Sequence, residues 1–206
     1  MPLSSTNSVK VGSFLIETSV SEEALVAETN QHHSAVIVKI ADLSQDTVSD
    51  GVLIGKGEVA TIRTADCVPF ILVGEAYALA VHISRKNIVD MFDTIRTFFP
   101  TVQPTQAYVG PHICAHHFTF SRMGEELESL KQSAPGMVHI LDDELTHVDL
   151  DAGIRGFLRG IDISPKATFF DPRCTYETKN LPSYRRQYDT GEAWLGNLFT
   201  TVHSLK

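Results

Sequence analysis

Short apolar runs, broken by glycine, proline and charge, dominate this chain, and only a few stretches carry a helical stripe. Residues 9–16, 35–40, 52–54 and 59–62 are rich in β-branched positions and predict strands. Residues 70–73 and 76–81 predict two buried strands, with Gly74-Glu75 as the tight turn between them. A two-residue turn pairs Val73 with Ala76 and, six positions back, Cys67 with His82. Directly opposed residues have Cβ atoms about 4.5–5.5 Å apart, close enough for sulfur and imidazole to share a proton or a metal ion.

The clearest helix spans 88–99, where Ile88, Met91, Phe92, Ile95, Phe98 and Phe99 follow a 3.6-residue stripe that Pro100 ends. Residues 21–30, with Ser21 as N-cap, 123–131 and 150–159, closed by Gly160, predict further helices. Strands are expected at 107–109 and 167–170, and a closing segment of open type at 193–202. The elements mix without a regular β-α-β alternation. The expected class is therefore α+β, with helices outside a mixed, largely antiparallel core. No repeat or linker interrupts the chain, which predicts one domain over residues 1–206.

Composition narrows the setting. With 43% hydrophobic residues the chain can fill a core, and no stretch approaches the roughly 18 apolar residues a bilayer requires. Residues 1–10 are polar and lack the apolar region of a secretory signal. Three widely spaced cysteines, an odd number, argue for free thiols in a reducing compartment, and the expected location is the cytoplasm. A net charge of −8 disfavours nucleic acid as a partner, and no membrane partner is expected. Basic residues do gather at Arg185-Arg186, where a small anion could bind.

Two sites can be built from the paired strands. Cys67 and His82 can join a third ligand around Zn²⁺ with an open position for water, or His82 can activate Cys67 as a metal-free nucleophile. His33 stands at a third strand end, and a His, Cys, His set is a plausible zinc shell. Asp66, beside Cys67, is the candidate for proton transfer. His112, Cys114, His116 and His117 form a second cluster that lacks a finger spacing. Tyr184 can stack on a heterocycle, and Arg185, Arg186 and Lys86 are the candidates for holding phosphate.

Taken in order, these stretches resemble the family of multicopper polyphenol oxidase, or laccase-domain, proteins, better described as zinc-bearing purine nucleoside phosphorylases with adenosine deaminase activity. The T-A-D-C-x-P signature is intact as Thr64 to Pro69. Gln31-His32-His33-Ser34 is similar to Q-V-H-G, Asp50-Gly51-Val52-Leu53-Ile54 to D-G-L-x-T, and Gly110-Pro111-His112-Ile113 to G-P-x-I. Cys174-Thr175-Tyr176 matches C-T-Y, and Ser183-Tyr184-Arg185-Arg186 matches S-Y-R-R. The resemblance implies an α/β sandwich related to Cys-His deamidase toxins, with zinc on His33, Cys67 and His82. It implies a purine nucleoside and phosphate as small-molecule substrates. The oxidase label would need a multicopper centre, for which the clustered histidines are too few.

The chain departs from the family at three places. H-A-G-W-R-G becomes His82-Ile83-Ser84-Arg85-Lys86-Asn87, Glu192 replaces the arginine of T-G-R, and T-R-x-G-G-V-S has no counterpart around Glu17 to Ser21. A lost cation and a reversed charge both weaken anion binding. Three readings follow: a zinc phosphorylase or deaminase, a metal-free Cys-His hydrolase or amidase, and a non-catalytic zinc-binding member.

Overall fold

The structure is a computed structural model that describes residues 6–21, 29–44, 46–121, 124–141 and 145–205. Its strands, in chain order, are β1 (Asn7–Val11), β2 (Phe14–Ser21), β3 (Ile37–Lys39), β4 (Gly51–Ile54), β5 (Val59–Thr64), β6 (Val68–Val73) and β7 (Ala78–Ile83). They continue as β8 (Gln106–Val109), β9 (Thr119–Phe120), β10 (Val138–Ile140), β11 (Thr146–Val148), β12 (Thr168–Phe170) and β13 (Asn197–Ser204). The helices are α1 (Ile88–Thr97), α2 (Phe99–Val102), α3 (Glu125–Ser133), α4 (Leu150–Gly160) and α5 (Tyr184–Thr190).

A six-stranded sheet, in the order β12-β8-β6-β7-β4-β3, lies at the centre. Every residue of β4, β6 and β7 is buried, which is why they read as continuous apolar runs rather than alternating ones. Successive side chains of a strand point to opposite faces. Ile71, Val73, Ala78 and Ala80 pack with Phe14, Ile16, Ile62 and Val202 of a four-stranded sheet, β1-β2-β13-β5. Phe70, Leu72, Leu79 and Val81 pack instead with Met91 and Ile95 of α1 and Ile154 and Phe157 of α4. Burying one such large side chain is worth about 1.5–3 kcal/mol, so both faces of β6 and β7 stabilise the fold. A small sheet, β10-β11-β9, completes the α+β architecture.

Several expectations are corrected. The span 9–16 is a hairpin, because Gly12 adopts a left-handed φ of 56° and turns the chain between Val11 and Phe14. The β6–β7 loop holds four residues, not two: Val73 faces Ala78, and the Gly74 amide donates to the Tyr77 carbonyl at 2.9 Å. Position 74 must be glycine, since a Cβ there would lie 1.7 Å from the Val102 carbonyl oxygen. His82 therefore faces Pro69, and Cys67 precedes the paired region.

The helical stripe of 88–99 is split: α1 stops at Thr97, and Pro100 lies in the first turn of α2, where its missing N–H costs nothing. Only the middle of 35–40 is strand, followed by a 3-10 turn at Ile40–Asp42. The open segment 193–202 resolves as β13, which pairs with both β2 and β5. The helix expected at 21–30 falls mostly on residues 22–28, outside the described residues; Ser21 ends β2 and Asn30 bridges Val48.

Candidate active site

The site begins with a carboxylate. Extending the antiparallel register of Gly51 with Val81 brings Asp50 beside His82, whose amide donates to the Asp50 carbonyl at 2.7 Å. Asp50 is fully buried, and such a charge is tolerated only when well paired. It is: its oxygens lie 2.6 Å from His82 Nδ1 and accept from the amides of His32 (3.1 Å), His33 (3.1 Å) and Ser34 (2.6 Å), and from Ser34 Oγ (2.7 Å). Burial alone would raise the Asp50 pKa; the bonds from His82, Ser34 and His32 outweigh it and hold the group at about 2.

The same carboxylate fixes His33. That residue has a left-handed φ of 57°, which costs a non-glycine residue about 1–2 kcal/mol. The three amide bonds to Asp50 offset this strain and direct the imidazole toward its partners. Asn87 braces the other side, its Nδ2 donating to the carbonyls of Ser34 (2.7 Å) and His82 (3.1 Å). Sequence reasoning gave Asp50 no role, although its place just before a strand that pairs with the one carrying His82 was a usable signal.

Cys67 sits in the three-residue link between β5 and β6. One donor atom from each of His33, Cys67 and His82 lies within 4.8 Å of the other two, and the two imidazole centroids are 5.1 Å apart. Burial would raise the Cys67 thiol, but the charge of His82 and bonds from His33 and His82 bring it down to about 7. Burial would lower His82, but Cys67 and Asp50 lift it to about 9. Each of the two groups thus favours the charged form of the other. Thiolate with two imidazoles is a donor set suited to Zn²⁺, and a carboxylate on the far nitrogen of His82 is the support that metal-bound histidines usually have. Cys67, His82 and Asp50 also compose a nucleophile, a base and its orienting group.

These donors open on a cavity of about 860 Å³. Its walls include Asp66, Arg63, Arg85 and Arg185, with Phe118, Phe120, Tyr184 and Tyr188 supplying aromatic surface. Arg185 donates from Nη1 to the Thr119 carbonyl at 2.6 Å, and its guanidinium lies 5.2 Å from the Phe120 ring centre. Arg85 pairs with Glu126 and stands 4.8 Å from the same ring centre. Both carboxylate oxygens of Asp66 are engaged, one by Thr175 Oγ1 and one by the Arg185 amide, each at 2.7 Å. Asp66 thus ties the N-terminal turn of α5 to the loop that carries Cys67.

Two residues expected to hold phosphate, Arg186 and Lys86, do not line this cavity. Arg186 is buried, and its guanidinium donates to the carbonyls of Thr175 (2.7 Å), Tyr176 (2.8 Å) and Leu181 (2.7 Å) and pairs with Glu192 (3.1 Å). Every part of that fork holds the chain itself. Glu192, the reversed charge of T-G-R, is its partner. Lys86 is exposed and outside the cavity lining, where its neighbour Arg85 stands instead. Helix α5, missed from sequence, was signalled by Ser183 at its N-cap and Gly191 (φ 72°) at its end. In the second histidine cluster, His112 is buried against Asp151 at 3.2 Å, and His116 packs edge-on to His117 and His147.

The sheet order and this donor set describe an α+β domain with side chains that could hold a metal ion. A family model described as multi-copper polyphenol oxidoreductase laccase matches residues 10–198, and the chain belongs to that family. Proteins named purine nucleoside phosphorylase in Mycobacterium tuberculosis and Mycobacterium bovis are 29% identical to it over 167 residues, covering 75% of this chain and 64% of theirs. The chain thus spans under two thirds of the length of these curated relatives. The fold is shared with Neisseria meningitidis protein NMB0706 (TM-score 0.78, 16% identity, 98% of this chain and 99% of that one). It is also shared with YlmD from Geobacillus stearothermophilus (TM-score 0.72, 18% identity, 87% of this chain and 73% of that one). Among the described residues no helix is long and apolar enough to cross a membrane.

Proposed function

We propose that this protein is a zinc-dependent purine nucleoside phosphorylase. The observation that carries the reading is the meeting of His33, Cys67 and His82 at the edge of a cavity walled by aromatic rings and arginines. His33, Cys67 and His82 would hold the ion, which when bound supplies a concentrated positive charge and Lewis acidity. Phe118, Phe120 and Tyr184 offer faces for a purine. Arg185 and Arg85 offer forked donors for phosphate, in place of Arg186 and Lys86. Hydrogen phosphate bonds through an oxygen to the ribose C1′ as the C1′–N9 bond breaks, and the purine leaves with the bonding electrons and takes the proton that the phosphate gives up. Asp66 keeps Arg185 on the cavity wall by accepting its backbone amide.

Adenosine deamination, in which water displaces ammonia at C6, is the second activity the same cavity would accommodate. The reading treats residues 1–206 as one domain and the cytoplasm as its setting, in keeping with three unbridged cysteines. A metal-free hydrolase is the rival, favoured by the 2.6 Å contact of Asp50 with His82 behind a thiol of lowered pKa.

Purified protein incubated with adenosine or inosine, with and without phosphate, distinguishes these. Hypoxanthine or adenine released only with phosphate, and abolished by a chelator, is the expected result. Inosine formed from adenosine establishes deamination. Activity that survives chelation but not alkylation of Cys67 points to the hydrolase. Bound zinc with no product from any nucleoside points to a binding protein.

A further inference from the structure

A second group of metal-ligating side chains lies away from that cavity. Two tight turns face each other across the isolated bridge between His112 and Cys174. In one, the amides of His117 and Phe118 both donate to the Cys114 carbonyl at 3.1 Å; in the other, the Thr178 amide donates to the Cys174 carbonyl at 2.9 Å. Each turn presents a cysteine and, three residues on, a second donor: Cys114 with His117, and Cys174 with Glu177.

The turns interlock through these side chains. The Cys114 amide donates to Cys174 Sγ at 3.2 Å. Cys114 Sγ lies 3.9 Å from Glu177 Oε1, and one donor atom each from Cys114, Cys174 and Glu177 falls within 4.8 Å of the others. His117 Nε2 holds the Glu177 carboxylate at 3.0 Å while its ring stacks on Tyr176 at 4.1 Å. With Zn–S near 2.3 Å and Zn–O near 2.1 Å, tetrahedral donors stand about 3.5–3.8 Å apart, close to this spacing. Two thiols and a carboxylate set together form a donor group suited to a soft cation.

We infer that Cys114, Cys174 and Glu177 form a second binding site for a thiophilic divalent cation such as Zn²⁺, distinct from the His33, Cys67 and His82 group. His117 is the positioning residue that fixes the Glu177 carboxylate. Cys174 is buried while Glu177 is exposed, so the ion has a path in from solvent. The site also has a structural consequence. Thr175, next to Cys174, holds Asp66, and the Thr175 and Tyr176 carbonyls hold Arg186. A cation here clamps the loop on which α5 and one cavity wall are hung.

The full chain, reduced and stripped of metal, is titrated with zinc and its retained metal measured after dialysis. The wild type retains two equivalents. Cys114→Ser and Glu177→Gln each retain one, His33→Ala retains one, and Cys114→Ser combined with His33→Ala retains none. In His33→Ala, zinc slows alkylation of Cys114 and Cys174 by N-ethylmaleimide at least tenfold. Glu177 is exposed, so Glu177→Gln keeps the wild-type circular dichroism. If only the first site fails, His33→Ala matches the wild type while Cys114→Ser still loses its ion. The proposal is overturned if Cys114→Ser and Glu177→Gln retain as much zinc as the wild type. It is equally overturned if zinc leaves the alkylation of Cys114 and Cys174 unchanged, or if the two close into a disulfide in the presence of zinc.

Discussion

Two aspartates organise the two walls of the cavity, and they do so with different rigidity. Asp50 is fully buried, takes five donors and fixes both histidines at once. Asp66 is partly buried, takes two donors and pins the start of a seven-residue helix. The histidine wall stands on the central sheet, whereas the arginine wall hangs from turns around Cys174 and Ser183. A donor set for a small ion needs fixed distances, and a surface for a larger organic ligand gains from adaptability. The split of labour follows that requirement.

The comparison is broken most severely at Asp50. Asp50→Ala leaves a buried imidazolium and three amides without their acceptor, and such a loss costs about 3–5 kcal/mol. Denaturant unfolding measures it, and zinc affinity falls about 10–100-fold with loss of the carboxylate behind His82. The acid limb carries the same signature. The folded Asp50 pKa of about 2 lies below its ordinary 3.8, so its contribution is complete above pH 4 and is lost as pH falls through 2.

The next largest effect separates two adjacent arginines. Arg186→Ala strips partners from four carbonyls and is expected to destabilise by about 3 kcal/mol, because bonds to charged donors are worth about 1.5–3 kcal/mol each. Arg185→Ala keeps its backbone amide on Asp66 and loses one such bond, to the Thr119 carbonyl, so it costs about 1.5 kcal/mol; under the proposed function it also raises the KM for phosphate. Equal stability losses in the two variants would contradict the division drawn here.

The smallest effect sharpens the histidine wall. In metal-free protein, alkylation of Cys67 rises with pH through a midpoint of about 7, because the thiolate is the reactive form. His82→Ala removes the neighbouring charge and moves that midpoint upward, toward an ordinary thiol near pH 8.5. A midpoint unchanged by the substitution would mean that His82 does not set the reactivity of Cys67.

How much of this was legible in the sequence depends on the kind of signal. Continuous apolar runs exposed β6, β7 and the central sheet, and the T-A-D-C-x-P stretch pointed to Cys67. The register between those strands was not legible, since Gly74 and Glu75 suggest a two-residue turn whatever Val102 does in space. Proximity of Cys67 to His82 survived that error because Cys67 lies beyond the paired strand and can curl back. The opposite fates of Arg185 and Arg186 were also hidden. On α5 their side chains diverge, one toward the cavity and one onto the turn carbonyls, and a dipeptide carries no trace of that. Asp50 was missed because its importance rests on five partners, three of them backbone amides.

The central claim is that His33, Cys67 and His82 share one divalent cation. It is tested most directly by zinc-edge X-ray absorption on Cys114→Ser protein loaded with one equivalent of zinc, which silences the second cluster. The account predicts one sulfur near 2.3 Å and two imidazole nitrogens at about 2.0–2.1 Å, with His33→Ala losing the ion. A spectrum without sulfur, or zinc retained in full by His33→Ala in that background, would contradict it.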